Sequence, residues 1–195
     1  MDRTLSDRLI AMAAHDLETR ERLAADGSLF RGYHPEMQAV HEANARALEE
    51  IVSESGWPHS GLVGKEAAEA AWLIAQHAIG LPAFQRACLA LLSAAVAAGK
   101  APAWQMAMMT DRIRTYEGRP QLYGTSFDWD DAGELSPRDI EDPAAVDRRR
   151  AAVGLEPLEA ATTKIRARDG SAGRPPDLAE HRRSMDEWAR RVGWR

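Results

Sequence analysis

Glycine and proline cut the first part of this chain into short pieces, and that punctuation limits its fold more than any other feature. Breaks at Gly27–Pro35, Gly56–Pro58, Gly80–Pro82 and Gly99–Pro102 leave five stretches before Gly118. Glycine ends a helix readily, and proline opens one but cannot sit in its interior. Between the breaks, apolar residues recur three and four positions apart, the period of a helix with one buried face. Residues 4–25 carry Leu5, Leu9, Met12, Leu17 and Leu23, with Thr4 or Ser6 as the expected cap. The stretch after Pro35 carries Met37, Val40, Leu48 and Ile51. A third helix is expected from Gly64 to Ile79, a fourth over 83–98, and a fifth from Pro102 to Arg114 or Glu117.

The character changes at Gly118. Leu122, Tyr123, Thr125, Phe127 and Trp129 favour extended structure, and Asp130-Asp131-Ala132-Gly133-Glu134 is a turn sequence, so a hairpin is predicted over about 120–129 and 133–138. Helical pattern returns after Asp142-Pro143 and again over 156–168. The fold expected is mainly α: a bundle of five to seven helices with a short β-hairpin after the fifth. No fixed-period repeat is present.

Residues 168–177 are rich in Gly, Ser and Pro and read as a linker. Beyond it, Leu178, Met185, Trp188 and Val192 share one face of a helix, while Arg182, Arg183, Arg190 and Arg191 take the others. Two parts are therefore expected: a helical domain over 1–168 bearing the site, and a linker with a basic amphipathic helix over 169–195. Truncation after Arg168 is expected to leave the domain folded.

With 195 residues, 45% of them hydrophobic, one sizeable core can be buried and hardly two. The net charge of -5 speaks against nucleic acid as a partner. No stretch is long and apolar enough for a membrane, and the N-terminus lacks the apolar run of a signal peptide, so a cytoplasmic protein is expected. The lone Cys88 excludes an internal disulfide and lies at core spacing, as a buried structural thiol would.

Polar residues embedded in apolar helices mark the candidate site. Gln76 and His77 close the alanine-rich third helix, where His77 can serve as a general acid or base and Gln76 as an amide donor to a developing negative charge. The neutral alternative is a core histidine with its hydrogen bonds satisfied. Asp111 is the expected orienter of His77, and Arg112 or Arg114 can bind an anionic group with its planar fork. Strand alternation would put Gln121, Tyr123 and Thr125 on one side as a site wall. His15-Asp16 with Arg20, and His41 with Asn44, can project into the same cleft. Ligation by His15, His41 and His77 is geometrically conceivable, but no HExxH or HxH spacing supports it, and no metal is expected. Asp128, Asp130 and Gly133 match the first, third and sixth places of a calcium loop. Ala132 and Asp139 fail its fifth and twelfth, leaving a hairpin turn as the better account.

Taken together, several motifs carry a resemblance. They are GYHPEMQAVHEANA at 32–45, GWP at 56–58, VG at 63–64, AAWLIAQHA at 70–78, FQ at 84–85, DR at 111–112, QLYGT at 121–125 and VDRRRAAVGLEPL at 146–158. In this order they resemble a bacterial domain of unknown function over roughly residues 5–160. The resemblance implies a fold unit and a site location but no reaction. The family's strand motif continues as YGTQ, whereas this chain has Ser126 at the last place.

The function expected is that of a small enzyme of hydrolase or group-transferase type, acting on a polar small molecule or peptide through acid/base chemistry at His77. No glycine-rich phosphate loop is present, and no cofactor is expected. Asp111 would orient His77, while Gln76, Arg112, Gln121, Tyr123, Thr125, His41 and Asn44 would hold substrate. The competing expectation is a non-catalytic module, regulatory or immunity-type, whose pocket recognises a ligand or protein. A homodimer is a further possible assembly.

Overall fold

The structure is a computed structural model, and it describes residues 2–30, 32–169 and 177–195. The chain divides into two compact units, 1–101 and 102–195.

The first unit is helical throughout. Helix α1 (Arg3–Ala25) starts at Asp2, whose Oδ1 accepts the Leu5 N–H at 3.0 Å; the cap is thus Asp2 rather than Thr4 or Ser6. Helix α2 (Pro35–Ser55) opens on its proline and closes at Gly56, whose φ of 70° only glycine adopts freely. A single turn, α3 (Ser60–Val63), precedes α4 (Lys65–His77), and α5 (Pro82–Ala97) follows.

Helix α4 packs against both α1 and α2. Its contact face is built of small residues: Ala67, Ala71 and Ala75, one turn apart, are each 0% exposed. Short side chains allow helix axes to approach to the lower end of the usual ~8–10 Å. Leu9, Met37, Leu48, Ile74 and Leu92 fill the remaining space. Close approach is what lets polar side chains on different helices meet.

Gln85 fixes where α4 ends. Its amide nitrogen donates to the Ala75 and Gln76 carbonyls at 2.8 and 3.0 Å, filling two acceptors that a helix C-terminus leaves without intrahelical partners. His77 is the last residue of the helix.

The second unit comprises α6 (Ala103–Tyr116), a two-stranded antiparallel hairpin, α7 (Val146–Ala152), α8 (Leu158–Asp169) and α9 (Leu178–Arg191). The strands β1 (Phe127–Trp129) and β2 (Leu135–Pro137) pair Phe127 with Pro137 and Trp129 with Leu135. Their turn is the expected acidic one, with the Gly133 N–H donating to the Asp130 carbonyl at 2.9 Å. The fold is mainly α, with nine helices among the described residues. The hairpin follows the sixth helix because the single turn α3 adds one to the count.

The hairpin is shorter than its sequence suggests. Residues 120–126 form an irregular loop, with a parallel bridge from Gln121 to Ile140 and the Ser126 carbonyl accepting the Arg138 N–H beside the hairpin. The expected alternation of Gln121, Tyr123 and Thr125 is therefore absent. The N–H groups of Leu122, Tyr123 and Thr125 are taken by a side chain, Asp111, so they cannot join a ladder.

In the tail, Leu178, Met185 and Val192 are half-buried and Trp188 is buried, while Arg182, Arg183, Arg190 and Arg191 are exposed, matching the expected stripe. Tyr116 lies 5.6 Å from the Trp188 ring and 5.4 Å from the Trp194 ring. Most of the expected linker, 170–176, lies outside the described residues. Among the described residues, no helix is long and apolar enough to cross a membrane.

Candidate functional site

Three helices of the first unit bring one carboxylate and two imidazoles together. Asp16 faces inward from α1, His41 from α2, and His77 from the end of α4. Asp16 Oδ1 lies 2.9 Å from His77 Nδ1, and Asp16 Oδ2 lies 3.4 Å from His41 Nε2. The imidazole rings are 5.3 Å apart and tilted by 47°, so they flank the carboxylate side by side. On its other nitrogen, His41 Nδ1 meets the Tyr33 hydroxyl at 2.8 Å.

Exposure is graded across this cluster. The Asp16 side chain is 1% exposed, His41 10% and His77 19%, so His77 forms the rim and Asp16 the floor. Burial by itself would raise the Asp16 carboxyl. Close contact with the His41 and His77 imidazoles, hydrogen-bonded in the case of His77, and the positive charge such rings can carry outweigh it, and hold the group well below the usual carboxylate range. The backbone around the cluster is tied down, with Asn44 Nδ2 donating to the Met12 carbonyl at 3.2 Å and so linking α2 to α1.

The residues selected from the sequence fall into two sets. His77, His41, Asn44 and Gln76 belong to the first unit, where His41 and His77 meet. Asn44 holds α1, and Gln76 is buried with its Oε1 unpartnered. Asp111, Arg112, Gln121, Tyr123 and Thr125 belong to the second. The carboxylate on His77 Nδ1 is that of Asp16, not Asp111.

Asp111 is spent within its own unit. Its Oδ1 accepts from the Leu122 and Tyr123 N–H groups at 2.7 and 3.1 Å; Oδ2 accepts from the Thr125 N–H and hydroxyl at 3.0 and 2.9 Å. Gln121, 0% exposed, donates to the Ser126 and Arg138 carbonyls at 3.0 and 2.8 Å and accepts the Ser126 N–H at 2.8 Å. Arg150 donates to the Tyr123 and Glu156 carbonyls, each at 2.6 Å. Arg114 donates to the Pro120 carbonyl at 2.6 Å and pairs with Glu141. These polar groups build a loop: the side chains of Asp111 and Gln121 serve its backbone, and the Thr125 hydroxyl donates to Asp111. Arg112 is half-buried in α6.

Asp16 is the residue the sequence reading passed over as a partner for His77. Its neighbour His15 is exposed while Asp16 is fully buried, a difference set by the ~100° step between adjacent helix positions. Cys88 is buried as expected, and burial, with Glu49's charge, pushes its thiol up to about 12, so it is inert as a nucleophile at neutral pH.

Fold and site together define a mainly α protein with a carboxylate flanked by two imidazoles inside a helix cluster. The sequence profile of a family of unknown function, DUF6624, matches residues 3–172, and the chain belongs to that family. No curated protein and no solved structure matches it.

Proposed function

We propose that this protein is a small enzyme of hydrolase or group-transfer type acting on a polar small molecule or peptide, with His77 as its general acid/base. The observation that carries the reading is the 2.9 Å contact between His77 Nδ1 and the fully buried Asp16 carboxylate. A carboxylate on one ring nitrogen fixes the tautomer and stabilises the imidazolium that forms when the other nitrogen takes a proton. In this reading Asp16 holds the orienting role that the sequence suggested for Asp111. His77, at the rim, is the member best placed to reach substrate.

The test is a panel of chromogenic ester, amide and phosphate substrates, run on the wild-type chain and on His77→Gln and Asp16→Asn. Turnover is expected in the wild type, and a loss of about 10²–10⁴-fold in His77→Gln with an unchanged melting temperature. Turnover equal in all three chains would refute the acid/base role.

A second reading, a non-catalytic binding module, draws on a groove of about 760 Å³ in the second unit. Met108, Phe127, Leu155 and Ile165 line it together with Lys164 and Arg150, a mix suited to an apolar ligand carrying an anionic group. Saturable binding of such a ligand, with no turnover on the panel, would favour this reading.

A further inference from the structure

We propose that Asp16, His41 and His77 form a binding site for a single divalent transition-metal ion of the zinc, cobalt or iron(II) type. The inference concerns the same cluster as the acid/base reading and goes beyond it: a bound ion would take His77 Nδ1, the nitrogen that Asp16 otherwise holds.

Spacing is the first argument. One donor atom from each residue lies within 4.8 Å of the other two. Two ligands at ~2.1 Å from a common ion, subtending the angles of a tetrahedron or octahedron, stand about 3.0–3.4 Å apart. The contacts of 2.9 Å from Asp16 Oδ1 to His77 Nδ1 and 3.4 Å from Asp16 Oδ2 to His41 Nε2, one through each carboxylate oxygen, fall near that separation.

The second argument is the state of the donor atoms. Asp16 Oδ2 and His41 Nε2 are both buried and make no hydrogen bond, although they face each other. Buried polar atoms without partners are few in folded proteins and costly. A cation would satisfy both at once.

Outer-sphere support is present as well. A histidine that ligates through one nitrogen generally uses the other in a hydrogen bond that fixes ring and tautomer. His41 has that arrangement, with Nε2 toward Asp16 and Nδ1 on the Tyr33 hydroxyl at 2.8 Å. Two imidazoles and one carboxylate select a borderline transition ion over magnesium or calcium, which take oxygen ligands. Three protein ligands leave coordination positions for water or substrate, and His77 on the rim marks the side from which these would enter.

The test is titration of the chelator-treated, full-length chain with cobalt(II), read by its visible absorption. One ion per chain is expected, with binding lost in Asp16→Asn and in His41→Gln. Tyr33→Phe should weaken binding by about 10–100-fold. His15→Ala, which changes the exposed neighbour, should leave it intact. Binding that survives both ligand variants, or none by the wild type, would overturn the proposal.

A second measurement needs no variant: zinc added to the wild-type chain should shift the imidazole nitrogen resonances of two of the six histidines. Shifts of other histidines than His41 and His77, or of none, would likewise overturn it. The two readings fail separately. Turnover that persists in chelator while no metal binds leaves the acid/base role standing alone. Stoichiometric metal without turnover leaves the metal site standing alone.

Discussion

Asp16 and Asp111 are both fully buried carboxylates, and their partners suit them to different work. The donors on Asp111 are three backbone N–H groups and a hydroxyl, none of which exchanges a proton near neutral pH. The neighbours of Asp16 are two imidazoles, the side-chain type suited to proton exchange. Asp111→Ala should therefore act on stability: it leaves several buried donors unpaired, at an expected loss of about 3 kcal/mol or more. Urea denaturation measures this, and an unchanged midpoint would remove the loop-holding role. For Asp16 the expectation depends on pH. Its folded-state value lies below the ordinary 3.8, so its contribution is present above that value and disappears as pH falls through the folded one. The stability difference between wild type and Asp16→Asn should thus shrink as pH drops below 3.8, and a difference that grows there would contradict it.

At the level of elements, the helices were readable because their signals are local: Gly56, Pro35 and Pro82 stand at or beside helix ends, and apolar period did the rest. The 120–126 loop was not readable, because what shapes it is distant in sequence. Gln121, Tyr123 and Thr125 alternate in sequence as a strand would, yet the backbone from Leu122 to Thr125 is held by Asp111, Arg149 and Arg150. The candidate site was legible in half. His77 stands out as a polar residue in an apolar helix and His41 shares a helix face with Asn44, but choosing Asp16 over Asp111 depends on how α1 meets α4, which no local pattern encodes. Gly124 tests the loop account. Its φ is +66°, and a Cβ there would lie 2.7 Å from Leu158 Cδ1 and 3.0 Å from Ile140 Cδ1. Backbone strain and crowding act together, so Gly124→Ala should destabilise by about 1–3 kcal/mol. A thermal melt identical to wild type would show that the loop relaxes freely.

Across the whole chain, the family match ends at residue 172, and α9 lies beyond it. The tail is nonetheless built into the second unit. Trp188 and Trp194 are 4% and 3% exposed, and both rings pack on Tyr116. Aromatic pairs of this kind add to an already large area burial, and truncating a buried tryptophan to alanine commonly costs about 3–5 kcal/mol. Domains of ordinary stability hold only ~5–15 kcal/mol in total. Trp188→Ala should accordingly lower the denaturation midpoint clearly. Truncation after Arg168, which removes both rings, should lower it further and raise the fluorescence quenching of the remaining aromatics by acrylamide. The sequence alone suggests a milder loss, since a glycine- and proline-rich stretch precedes the tail. The two expectations part at the truncated chain. A midpoint equal to that of the full-length protein would show that α9 is a separable appendage; a loss larger than that of Trp188→Ala would show that it completes the core of the second unit.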